Sequence, residues 1–106
     1  MSGGKGGDYT PIGPPDRCEK LKVETALQSP NPDVVGKLRK SDVLQLQLEP
    51  VGDRHAVLVL KDTEVAGSLV FPSLQRLVEC MQAGHIFVAE VVSISGPACR
   101  LQVRTQ

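Results

Sequence analysis

The sequence predicts a mainly β, α+β domain: a small six-stranded antiparallel sheet, curled or closed into a partly open barrel of the OB or SH3-like kind, with one capping helix. Three observations predict it. Several short segments alternate apolar and polar residues with the period of a half-buried strand. The turns between them are short and rich in glycine, proline and aspartate, as antiparallel hairpins require. Only one stretch carries a substantial helical period, which argues against the alternating helices of a doubly wound parallel sheet.

The chain has 106 residues, enough for one core, and residues 1–16 contribute little to it. MSGGKGGDYTPIGPPD holds five glycines and three prolines, and its ordering entropy has no apolar burial to offset it, so it reads as a disordered tail. Its GGKGG run has neither the preceding strand nor the following helix of a phosphate loop. Residues 17–106 read as one small barrel-like domain.

Leu21, Val23, Thr25 and Leu27 alternate with Lys20, Lys22 and Glu24 as a first strand, which Ser29-Pro30-Asn31-Pro32 ends. Asn31 is placed to cap a short helical turn within residues 32–38, with Asp33 near the positive end of its dipole. Leu44, Leu46 and Leu48 form one face of a second strand, and Pro50-Val51-Gly52-Asp53 reads as a turn. His55 to Leu60 is apolar on both faces, which predicts a central strand or one covered on both sides. Glu64 to Val70 follows, with Gly67 as a candidate bulge.

The helix spans residues 72–83. Leu74, Leu77, Val78 and Met81 fall on one face, and Gln75, Arg76, Glu79 and Gln82 on the other. Pro72 suits a first turn and Gly84 a left-handed C-terminal cap, so the apolar stripe should plug the curled sheet. His85 to Ile94 is the longest strand. Ser95-Gly96-Pro97 turns the chain, and Cys99, Leu101 and Val103 point inward from the last strand. Glu90 interrupts the apolar set Ile86, Val88, Val92 and Ile94, which predicts an edge position or an arginine partner.

Composition narrows the chemistry. Lysine plus arginine equals aspartate plus glutamate at 12 each, so no global field draws nucleic acid or anionic membrane. No apolar run approaches the ~20 residues of a membrane span, and the N-terminus has no apolar stretch of a secretory signal. Cys18, Cys80 and Cys99 are odd in number and lack CxxC spacing, which predicts reduced thiols in a cytoplasm. Cys80 and Cys99 read as buried small hydrophobes and Cys18 as the most exposed of the three; a Cys18–Cys99 bridge requires neighbouring first and last strands. With His55 and His85 dispersed among these thiols, no catalytic residue, metal site or cofactor is expected.

Cations are the remaining candidates. Lys20, Lys22, Arg100 and Arg104 would merge into a basic stripe if the first and last strands pair, and Lys37, Arg39 and Lys40 form a basic knot nearby in sequence. Stacking platforms need aromatics, and only Tyr9, Phe71 and Phe87 exist, the last two expected in the core.

From Leu38 to Gly96 the order of features resembles the HIRAN domain, in the pieces LRKSDVLQLQLEP, HAVLVL and EVAGSLVFPSLQRLVECMQAGHIFVAEVVSI. The resemblance implies a small OB-like barrel associated with DNA processing and DNA-end recognition. The family's longer loop after Glu-Pro is reduced here to Val51-Gly52-Asp53-Arg54, and its nucleotide-holding aromatics have no counterpart, so no functional residue carries over. The expected function is thus a non-catalytic binding or accessory module with an unknown protein partner. The alternative is a nucleic-acid-binding domain of HIRAN-like type using the seven cations.

Overall fold

In the computed structural model, which describes residues 18–106, the chain runs β1 (Val23–Ala26), α1 (Pro32–Val35), β2 (Val43–Val51), β3 (Arg54–Lys61), β4 (Glu64–Leu69), α2 (Leu74–Gln82), β5 (Phe87–Ser95) and β6 (Ala98–Thr105). The expected tail, residues 1–16, lies outside the described residues. All six strands join one antiparallel sheet in the order β1-β6-β5-β2-β3-β4.

Three two-residue loops connect β2 to β3, β3 to β4 and β5 to β6, at Gly52-Asp53, Asp62-Thr63 and Gly96-Pro97. The first residue of each takes positive φ, the backbone hand that lets such a tight loop follow the strand twist. Pro50 and Val51 belong to β2 and not to the turn, with Pro50 opposite His55. At that end β2 has a neighbour on one side only, the setting in which strands tolerate proline.

The sheet curls until its two edges touch. Leu27 N–H still donates to Cys99 of β6, at 2.7 Å. One residue later, Gln28 exchanges two backbone hydrogen bonds with Ser68 of β4, at 2.8 and 2.9 Å. Asn31 N–H then donates to Ala66 O at 2.8 Å, so residues 27–31 cover an edge that would otherwise expose unpaired groups. The curl has a local cause at Gly67. Register shifts between Val59 and Leu60, where Ala66 is the extra residue on β4. A Cβ on Gly67 would stand 2.6 Å from Gln28 O and 2.7 Å from Leu27 Cγ, so only glycine permits this approach.

One core fills the concave side. Leu44, Val57, Val59, Leu69, Leu101 and Val103 line it from the sheet, each at 1 % exposure or less. Leu77 and Val78 enter it from α2, with Leu74 and Met81 packed at its margin, as the helical stripe predicted. About two and a half turns of helix have no independent stability, so this packing is what keeps α2 folded. Pro72 is not in the first turn: Leu74 N–H donates to Phe71 O at 3.0 Å, a separate turn that pushes the cap to Ser73. The C-terminus closes as expected, with Gly84 at φ 102° and paired bonds from Gly84 N–H to Met81 O and His85 N–H to Cys80 O, both 3.1 Å. Val34 and Val35 of α1 fill the same core, and Asn31 Oδ1 caps that helix by accepting from Asp33 N–H at 3.1 Å.

Two sequence expectations fail here. Cys18 and Cys80 form a disulfide with Cα atoms 5.6 Å apart, so these thiols are not reduced and Cys80 is more than packing. Cys18 is 6 % exposed, the opposite of the surface position expected. The first and last strands do neighbour each other, as a Cys18–Cys99 bridge required. The N-terminal turn nonetheless lies over α2, and Cys99 is left as a buried free thiol. Burial raises its pKa above the ordinary 9.0 because a thiolate there would lose its hydration.

Candidate binding surfaces

The strand pairing that a basic stripe required is present, but the stripe is not uniformly basic. Antiparallel pairing sets Glu24 opposite Gln102, and Arg100 reaches diagonally to it, Nε to Oε2 at 3.1 Å. Arg104 reaches across to Glu90 of β5, with Nη2 3.2 Å from Oε1. Glu90 is therefore the arginine partner that the sequence predicted, on the outer face of the sheet. It does not interrupt an inward set: Phe87, Ala89 and Val91 belong to the core cluster, and Val88, though itself buried, does not. Beyond Val91 the register shifts at Val92, so Ser93 stands opposite Arg100 and Ile94 opposite Cys99. A strand apolar on both sides gives its period no means of choosing the inward face.

The other cations are separate. Lys37 Nζ lies 2.9 Å from Glu64 Oε1, and that hydrogen bond, with the carboxylate's charge, raises the amine's pKa above its ordinary value. Arg39 and Lys40 are exposed in the loop before β2, whose backbone is tied to β5 by Ser41 N–H to Val91 O at 2.8 Å. Lys20 and Lys22 are exposed just before the edge strand β1, with β6, its ion pairs and β5 between β1 and β2. Of the seven candidate residues, three are thus matched by carboxylates, and the rest form two groups.

No cluster of three or more metal-capable side chains occurs among the described residues. His55 Nδ1 lies 3.5 Å from Gln82 Nε2, a contact between β3 and α2, and the backbone of His85 serves the α2 cap. No helix among the described residues is long and apolar enough to cross a membrane.

A second surface, without cations at its centre, is the convex face of β2, β3 and β4. Val57 and Val59 point into the core, so Leu58 and Leu60, which alternate with them, point outward. Register extends the row: Leu60 stands opposite Gln45 and Val65, Gln45 opposite Val88, and Leu58 opposite Gln47 and Ser68. Val43 at 54 % and Val65 at 41 % exposure complete an outer patch, bounded on β5 by Glu90 opposite Val43 and at the hairpin end by Glu49 and Arg54. By contrast, the convex face of β1, β6 and β5 carries Glu24, Arg100, Arg104 and Glu90. The two-sided apolar character of residues 55–60 was the sequence signal for this patch. β3 is interior to the sheet, as that signal predicted, but only its concave side meets the core.

No family model matches the chain, and no curated protein or solved structure does either.

Proposed function

We propose that this domain is a non-catalytic binding or accessory module that engages a protein partner across the convex face of β2, β3 and β4. The observation that supports this is the uncharged run Val43, Gln45, Gln47, Leu58, Leu60 and Val65 across three adjacent strands. Singly exposed apolar residues are ordinary, but a run of valine, leucine and glutamine side chains without charge across three strands shows the depletion of charge that marks an interface centre. A partner covering it strips no unpaired ion of water, so its own contact surface is apolar or amide-rich.

Substitution separates the surfaces. Leu60→Arg places a charge in the patch without touching the core and should abolish retention of the partner while the melting temperature stays near wild type. Joint reversal of Lys37, Arg39 and Lys40 to glutamate should leave retention intact. The reading fails if retention survives Leu60→Arg together with Val43→Asp.

A HIRAN-like nucleic-acid function is the second reading, favoured by the pairing of β1 with β6, which brings Lys22, just before β1, to the strand that carries Arg100 and Arg104. A salt-dependent titration with single-stranded and duplex DNA tests it, and absence of binding at low salt removes it. A cytoplasmic setting belongs to the proposal on one condition: the Cys18–Cys80 bond must persist against cellular thiols. Thiol trapping in intact cells checks that condition.

A further inference from the structure

An open hollow of about 570 Å³ lies where the N-terminal turn, the end of α2 and the end of β6 meet, lined by Glu19, Gly84, His85, Ile86, Thr105 and Gln106. Its walls are tied on every side. The Cys18–Cys80 disulfide anchors the turn to α2 one residue before Glu19. Thr105 Oγ donates to Glu19 O at 3.3 Å. His85 N–H donates to Cys80 O at 3.1 Å, and Gln106 N–H to Ile86 O at 3.0 Å. Such a site needs little ordering when a ligand enters it.

Its chemistry has a sign. Glu19 supplies an exposed carboxylate, and α2 directs its negative end here with no basic residue in its last turn, where Glu79 adds a further negative charge. Ile86 is 65 % exposed at the same place, the most exposed large apolar side chain among the described residues. His85 is the one group in the lining able to carry positive charge. A carboxylate and a helix C-terminus attract a cation, and an uncovered isoleucine beside them suits an aliphatic stem.

We propose that this hollow binds an alkylammonium group, a primary amine carried on a short aliphatic stem. A free amine and a lysine side chain of a protein partner share that chemistry. The site is separate from the convex sheet face and does not depend on its role.

The test is a titration of the full chain, followed by amide NMR, with n-butylammonium chloride, N-acetyl-lysine methylamide and sodium butyrate. Both amines should give saturable shifts at Gly84, His85, Ile86, Thr105 and Gln106, and butyrate should not. Glu19→Gln should weaken amine binding about fivefold, the worth of one solvent-exposed ion pair, at unchanged melting temperature. Ile86→Ser should weaken it through loss of the stem contact. Tighter binding of the lysine derivative identifies a partner's lysine as the natural occupant; tighter binding of butylammonium identifies a free amine. The proposal is overturned if no saturable shift appears, if butyrate reproduces the shifts, or if Glu19→Gln and Ile86→Ser both bind the amines like wild type.

Discussion

Removal of the Cys18–Cys80 bridge should destabilise the domain far more than any surface change. The two cysteines are 62 residues apart in sequence, so the bond closes a loop of most of the described chain. Chain-entropy arithmetic for a loop of that size assigns it about 4 kcal/mol, from the conformations it removes from the unfolded state. For a domain this small, that corresponds to a fall in melting temperature of roughly 20 °C. The double variant Cys18→Ser/Cys80→Ser should show it in a thermal scan, and a dithiol reductant should lower wild type alone. Alkylation of the denatured, unreduced protein should count one free thiol, Cys99, and three after reduction. Equal melting temperatures for wild type and double variant, with one thiol still counted in wild type, would refute the entropic argument. They would show that residues 18–22 contribute little to the cooperative unit.

Three further outcomes follow from the packing. Gly67→Ala drives a methyl into Gln28 O and Leu27, a backbone atom and a buried side chain, and should cost about 2–3 kcal/mol in urea unfolding; a neutral result would mean the β4 edge relaxes freely. A double-mutant cycle on Glu90 and Arg104, each about one third exposed, should give a coupling below about 1 kcal/mol that shrinks with added salt. Cys99 keeps its proton in the folded state at pH values where the unfolded thiol has lost it. Its contribution is therefore fully present below the ordinary value of 9.0 and lost as pH rises through the raised folded value. Wild-type stability should fall between pH 8 and 10 more steeply than that of Cys99→Ala, measured by denaturant unfolding.

The architecture was legible because it rests on local signals that agree. The 3.6-residue period of Leu74, Leu77, Val78 and Met81, the alternation along β2 and β6, and the glycine turns of the β2–β3 and β5–β6 hairpins each define an element without reference to any other. Asn31 before Pro32 and Gly84 after α2 fix where helices begin and end by backbone chemistry alone. Where a segment is apolar on both sides, as in β5, period loses its information, and the inward choice of Phe87, Ala89 and Val91 came from packing against β6 and β2.

The candidate sites were less legible, since they depend on which distant residues meet. Seven cations in the sequence suggested a basic surface, but charge in three dimensions belongs to pairs. Glu24, Glu64 and Glu90 each lie beside one of those cations through strand pairing or the contact of α1 with β4. The partner of Cys18 was hidden for the same reason, because a disulfide follows Cα separation and not sequence spacing. The sequence alone therefore determined the elements, the Asn31 and Gly84 caps and the need for a curled antiparallel sheet around an amphipathic helix. Only the tertiary structure decided the convex uncharged patch, the neutralised stripe and the disulfide-anchored hollow, since each arises where residues far apart in the chain become neighbours.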